Sequence, residues 1–167
     1  MFYNKSMEID RTVLCYINRG DEYLFMKRNK KKNDLNHDKW IGVGGHIEKG
    51  ESKEAALKRE VEEETGLVLK DFDYRGDILF INDDYEENMY LFTSDKYEGN
   101  VIDCDEGELH WIHKSEIMNL NLWEGDRTFL PLLINTKKFI KMKLVYKQDK
   151  LIDIIDESEM QLWKLDV

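Results

Sequence analysis

The stretch Gly44–Leu67, GGHIEKGESKEAALKREVEEETGL, holds three glycines in its first seven positions and a crowd of glutamates in its second half. EVEEE alone puts four carboxylates into five residues. Ser52 is an N-cap residue type, Leu57 and Val61 form an apolar i, i+4 pair, and Gly66 stands where a helix ends in left-handed backbone. The segment therefore reads as loop, helix, turn. On that helix Glu60 faces Glu63 and Glu64, and like charges at this spacing cost about 0.2–0.5 kcal/mol per pair. The three carboxylates share one side while Leu57 and Val61 turn toward a core. Hard divalent cations take oxygen ligands, and magnesium keeps several waters and phosphate oxygens beside one or two carboxylates. A bound cation would relieve the repulsion. From the glutamates alone, a solvated acidic face is the competing reading.

The neighbours decide between the two. Gly44-Gly45 and Gly50 bracket the approach to the helix and allow close backbone contact, and Arg59 can pair with a carboxylate. Gly45, Glu51, Arg59-Glu60, Val61, Glu63-Glu64, Gly66 and Leu67 match every specified position of the Nudix box. A chance match is on the order of one in a hundred million per start site. The chain thus resembles the Nudix hydrolases over a box at 45–67. The resemblance implies a mixed β-sheet between helices and a Mg²⁺-dependent (or Mn²⁺-dependent) hydrolase of nucleoside diphosphate derivatives. It further implies Glu60, Glu63 and Glu64 at the metal, joined by the carbonyl of Gly44. Glu60 or Glu63 would act as the base and Glu64 as a ligand, with Glu51 and Arg59 bracing loop and helix. Water would attack one bridging phosphorus while the metal offsets charge on the leaving phosphate.

Farther along, LHWIHKSEIMNLNLWEGDRTFLPLLINTKKF resembles the oxidised-purine nucleoside triphosphatases within that family, as do KW-x-G-x-GG and YRGDILF. This similarity implies that Trp123 stacks on a base, Asp126 hydrogen-bonds its edge and Phe80 lines the same pocket. Thr12 and Lys27 would lie near sugar and phosphates. Two departures stand out: Gly125 replaces the first of two paired aspartates, and Ile41 replaces an asparagine after the entry tryptophan. The loop at 28–39 is longer, so its apolar base contact, Leu35 at best, does not align. Counting back from Trp111 puts Asp103 at the position of a further metal carboxylate, with Glu106 three residues away as the alternative. The implied reaction turns an oxidised purine triphosphate such as 8-oxo-dGTP into monophosphate and pyrophosphate. The alternatives are another (d)NTP or nucleoside diphosphate derivative, or a non-catalytic nucleotide sensor. A sensor would be expected to lose box carboxylates, and none is lost.

Period and punctuation supply the remaining elements. RTVLCYIN (11–18) and EYLFMKR (22–28) read as a hairpin across NRGD, RNKKKNDLNHDK (28–39) as a loop, and WIGVGGHIE (40–48) as short extended chain. FDYRGDILFI (72–81), NMYLFTS (88–94) and ELHWIH (108–113) read as strands, and KKFIKMKLVYK with KLIDIID as a hairpin across QDK. Ser115 is expected to cap a short helix EIMNL. Asp126 is a candidate cap for GDRTFLPLLIN (125–135), where Pro131 implies a kink or break. Strands interleaved with two or three helices predict an α+β chain, an α/β/α sandwich with a mixed sheet, as one domain over 1–167. A formal net charge of −10 excludes a nonspecific nucleic-acid polymer binder. Two cysteines, Cys15 and Cys104, fit no disulfide scaffold, and no apolar run is long enough to cross a membrane. A cytoplasmic enzyme with a small-molecule nucleotide partner is expected, either monomer or homodimer.

Overall fold

Strand β1 (Asp10–Arg19) is buried on both faces, which dictates layers on either side of it. Successive strand side chains point to opposite faces. Val13, Cys15 and Ile17 enter one core, and Tyr16 with Leu14 enters another. The computed structural model describes residues 9–158. In it, β1 is followed by β2 (Glu22–Lys27), β3 (Trp40–Ile41), β4 (Val43–His46), α1 (Lys53–Thr65), β5 (Val68–Asn82), β6 (Tyr85–Glu98) and β7 (Glu108–His113). A 3-10 helix (Lys114–Asn119), α2 (Asp126–Asn135), β8 (Ile140–Lys147) and β9 (Lys150–Asp156) complete the chain.

The strands form a mixed sheet in the order β3-β2-β1-β6-β5-β8-β9, with β4 on β1 and β7 on β2. The β1–β6 and β5–β8 pairs are parallel. Hairpin partners β1 and β2 pair only at their turn, Asn18 with Tyr23 and Arg19 with Glu22. They then part: β1 takes β4, while β2 takes β3 and β7. Helix α1 covers one face through Ala56, Leu57 and Val61, and α2 covers the other through Phe129, Leu130 and Leu133. The fold is α+β, with helices on both faces of the sheet.

Local chemistry explains most boundaries. Ser52 Oγ accepts from the Ala55 amide at 3.1 Å, and Gly66, at φ 80°, closes α1 in left-handed backbone that other residues adopt at a cost. Gln148 and Asp149 both have positive φ, the signature of a two-residue hairpin turn between β8 and β9. Strands β5 and β6 outrun the apolar stretches at 72–81 and 88–94, because a backbone ladder continues through charged residues such as Asp71 paired with Lys96. Two expected caps differ. The 3-10 helix is capped by His113, whose Nδ1 accepts from the Ser115 amide at 3.2 Å; Ser115 lies inside it. Helix α2 begins after Gly125 without a side-chain cap, and it runs unbroken through Pro131.

Candidate active site

Strand β4 brings Gly44-Gly45 against the carboxylate side of α1. The Gly44 amide donates to Glu64 Oε1 at 2.7 Å. A Cβ at Gly44 would collide with the Val13 carbonyl of β1, and one at Gly45 would sit 2.5 Å from Glu60 Cδ. Only glycine lets helix and strand approach this closely. Arg59 then ties the segment together. Its Nε and Nη2 each bond Glu51 at 2.9 Å, a bidentate fork, and Nη2 also donates to the His46 carbonyl at 3.1 Å. Its Nη1 reaches Glu60 at 2.7 Å and Glu63 at 3.4 Å. Hydrogen bonds from Arg59 and from the Glu48 amide hold the Glu51 carboxyl down to about 2.

The three helix carboxylates differ sharply in burial. The Glu63 side chain is 60% exposed and that of Glu60 is 17% exposed, whereas Glu64 is 6% exposed and its Oε2 has no hydrogen-bond partner among the groups that ordinarily donate. Burial pushes Glu64 up to about 9, reinforced by the neighbouring Glu106 carboxyl. Glu106 is held low, first by its interaction with Glu64 and then by Lys31 and Arg28. Burial raises Glu60 as well, against the pull of Arg59. Of the two candidates for a further carboxylate, Glu106 lies against the box. Asp103 is exposed and lines a separate groove with Lys30 and His110. Among the described residues, no three Asp, Glu, His or Cys side chains already converge as a finished metal site. Instead the chain offers a half-shell of oxygens burdened with one proton, which suits an ion that takes its other ligands from water and phosphate.

A second cleft, of about 50 Å³, is lined by Leu14, Asn36, Ile41, Phe80, Glu87, Met89, Trp123 and Asp126. Leu14 of β1 and Ile41 of β3 contribute to its lining. Phe80, Trp123 and Tyr146 pack with ring centroids 4.9–5.4 Å apart, which fixes the wall. The Gly125 amide donates to Tyr146 Oη at 2.7 Å and sets the entry to α2. Asp126 is 7% exposed, and burial, with Glu87 adding to it, pushes its carboxyl up to about 7. Near neutrality that group can donate or accept. Phe80, Trp123 and Asp126 thus meet in one cleft. Thr12 borders it, but its hydroxyl donates to Glu87 Oε2 at 2.8 Å. Lys27 is outside the lining, on β2 opposite Glu108, and Leu35 is exposed. Glu87 and Asn36 escaped the sequence reading. Glu87 shares its strand face with Met89 and Leu91, so period two would have exposed it had the strand been started before Asn88. A larger groove of about 340 Å³ around Arg75 shares no residue with either site.

Comparison with known proteins identifies the family. The NUDIX domain model matches residues 8–133. The chain is 32% identical over 131 residues to the oxidized purine nucleoside triphosphate hydrolase of Danio rerio, covering 77% of this chain and 81% of that protein. It is 28% identical over 144 residues to an uncharacterized Nudix hydrolase of Bacillus subtilis, covering 83% and 87%. The crystal structure of a mutator MutT protein from Bacillus halodurans superposes with TM-score 0.81 at 24% identity, covering 89% of this chain and 98% of that one. No helix among the described residues is long and apolar enough to cross a membrane. The chain belongs to the Nudix family and is a hydrolase acting on nucleoside diphosphate derivatives.

Proposed function

We propose that the chain, acting as one domain, is a magnesium-dependent pyrophosphohydrolase of nucleoside triphosphates. Its preferred substrates are oxidised purines such as 8-oxo-dGTP, cleaved to monophosphate and pyrophosphate. The observation that carries this reading is the meeting of Phe80, Trp123 and Asp126 in one cleft, in a chain with a complete carboxylate box. An aromatic wall supplies stacking for a base, worth about 1–3 kcal/mol in single-strand binders. A carboxyl at the edge then discriminates by donor and acceptor pattern. The relatives named as oxidised-purine triphosphatases support the same reading. Such an enzyme would serve the cytoplasmic nucleotide pool, where the free thiols of Cys15 and Cys104 stay reduced.

Glu64, Glu106, Glu60 and Glu63 would hold magnesium, with the Gly44 carbonyl beside them; the ion would offset phosphate charge and make water a better nucleophile. Glu64's orphaned oxygen and its raised carboxyl beside Glu106 fit that role, since both faults vanish when a cation binds. Arg59 holds Glu60 and Glu63 in line with Glu51 and His46. Of the two, Glu60 is the better proton acceptor, because partial burial raises it toward the working pH. Asp126 and Trp123 orient the base so that the phosphates run toward α1.

A panel with Mg²⁺ tests the proposal: 8-oxo-dGTP, 2-hydroxy-dATP, ordinary (d)NTPs, ADP-ribose and a dinucleoside polyphosphate. The expected result is highest kcat/KM on an oxidised purine triphosphate, pyrophosphate as the released product, and a loss of about 10²–10⁴-fold in kcat for Glu60→Gln. Turnover of ADP-ribose with all triphosphates inert would overturn it.

A further inference from the structure

The base cleft departs from the pattern it resembles at two places, and at one of them the structure shows why the gap could not be refilled where it arose. At position 125, a Cβ would lie 2.7 Å from Leu144 Cδ1 and 2.8 Å from Tyr146 Oη, both side chains being buried. Tyr146 has taken the room an aspartate would need and binds the Gly125 amide instead. At position 41 the side chain is an isoleucine that lines the cleft and can donate nothing.

Two polar groups enter the cleft from other elements. Glu87 arrives from β6, across from Asp126. Its Oε2 accepts from Thr12 Oγ1 at 2.8 Å and its Oε1 from Tyr85 Oη at 2.6 Å. Each carboxylate oxygen has about two lone-pair sites, so one acceptor position remains on each. Asn36 arrives from the 28–39 loop. Trp123 Nε1–H can only donate, so the Asn36 oxygen is the atom that accepts it at 2.7 Å. The NH₂ of Asn36 makes no side-chain hydrogen bond among the described residues and is left as a donor. The same loop is clamped to the box through Arg28 and Lys31, which bond Glu106 at 3.2 and 3.1 Å.

We propose that Glu87 and Asn36 read the base edge in place of the groups absent at 125 and 41, and that the pair selects guanine-type purines. This inference rests on the nucleotide reading of the cleft. Guanine and 8-oxoguanine present two adjacent donors, the ring N1–H and the exocyclic N2–H, beside the O6 acceptor. A carboxylate with one free position on each oxygen is their complement. Adenine sets a ring acceptor beside its amino group and leaves one Glu87 oxygen facing no donor. Asn36 then donates to a purine acceptor such as O6 or N7, while its oxygen holds the stacking indole in place. As it stands the cleft has room for a few waters rather than a base. Asn36 and Trp123 are the lining residues carried by neither strand nor helix, and the bond from the Trp123 indole to Asn36 joins them.

Binding of monophosphates separates base reading from hydrolysis. Trp123 quenching or calorimetry would follow dGMP, 8-oxo-dGMP and dAMP on the whole chain without metal. Wild type should prefer the guanine-type ligands. Glu87→Gln should weaken them at least tenfold and leave dAMP within about threefold, and Asn36→Ala should weaken 8-oxo-dGMP several-fold. Thr12→Val, which removes one Glu87 brace, should give a smaller loss in the same direction. Thermal melts matching wild type confirm that the variants fold; if Glu87→Gln does not, Asn36→Ala and Thr12→Val carry the test. Equal losses for all three ligands, no change, or no purine binding by wild type would each overturn the proposal, even if triphosphates are hydrolysed. Selective loss in a chain that hydrolyses no triphosphate would instead uphold the base reading and sink the proposed reaction.

Discussion

Magnesium titrated into the protein should expel about one proton per ion bound. That proton would come from Glu64, which is buried and accepts only the Gly44 amide on one oxygen, so burial and the neighbouring Glu106 raise its carboxyl. A cation that needs both groups ionised must displace the proton. Each pH unit below Glu64's raised value, about 9, costs such an ion about 1.36 kcal/mol. Apparent affinity should therefore rise about tenfold between pH 6.5 and 7.5. Calorimetry at one pH in two buffers of different ionisation enthalpy counts the protons directly. Glu106→Gln removes the carboxyl that helps raise Glu64 and can offer it an amide N–H, so proton release in that variant should fall well below one. The sign for stability runs the same way. A carboxyl whose folded value lies above its unfolded 4.5 keeps more protons in the native state, so metal-free stability declines as pH rises from about 4.5 toward 9. Asp126, raised to about 7, adds to the decline in the lower part of that window. Saturating magnesium should flatten the pH dependence. No proton release, with affinity flat from pH 6.5 to 7.5, would refute the protonated Glu64 and with it the proposed place of Glu64 and Glu106 at the metal.

Two further substitutions test the frame around the site. Gly45→Ala would press a methyl group onto the Glu60 carboxylate, which is the mobile end of its side chain; kcat should fall about 10²-fold with little change in melting temperature, and a steady-state assay beside a melt would show the reverse if Gly45 served folding alone. Arg75 donates from Nη1 to Leu133 O at 2.8 Å and from Nη2 to Thr136 O at 2.7 Å, so it satisfies carbonyls at the C-terminal end of α2. Arg75→Met should strand those acceptors and cost about 2–4 kcal/mol by denaturant unfolding, and a loss under 0.5 kcal/mol would refute the capping role.

What could be read from the chain alone divides by distance along it. Ser52, Leu57, Val61 and Gly66 act within a turn or two, so the helix and its cap residues were legible. Glu60, Glu63 and Glu64 needed only helical spacing to be seen as one object. Strand lengths were read short because apolar residues reveal burial, whereas the β5–β6 ladder needs only backbone and continues through Asp71 and Lys96. The choice between Asp103 and Glu106 hung on a loop, where counting from Trp111 carries no geometry; the clamp of Arg28 and Lys31 on Glu106 exists only in three dimensions. The base cleft is the extreme case. Its lining comes from β1, the 28–39 loop, β3, β5, β6 and the entry to α2, so no local pattern describes it. Position by position, Gly125 and Ile41 look like losses, and a pocket with fewer polar groups should discriminate less. The folded chain alters that inference: Tyr146 fills the space at 125, while a carboxylate and an amide return from β6 and the loop. Polar groups in a binding cleft are interchangeable in origin provided their donors and acceptors reach the same volume, so the loss of a local match at 125 and 41 does not by itself predict a loss of discrimination.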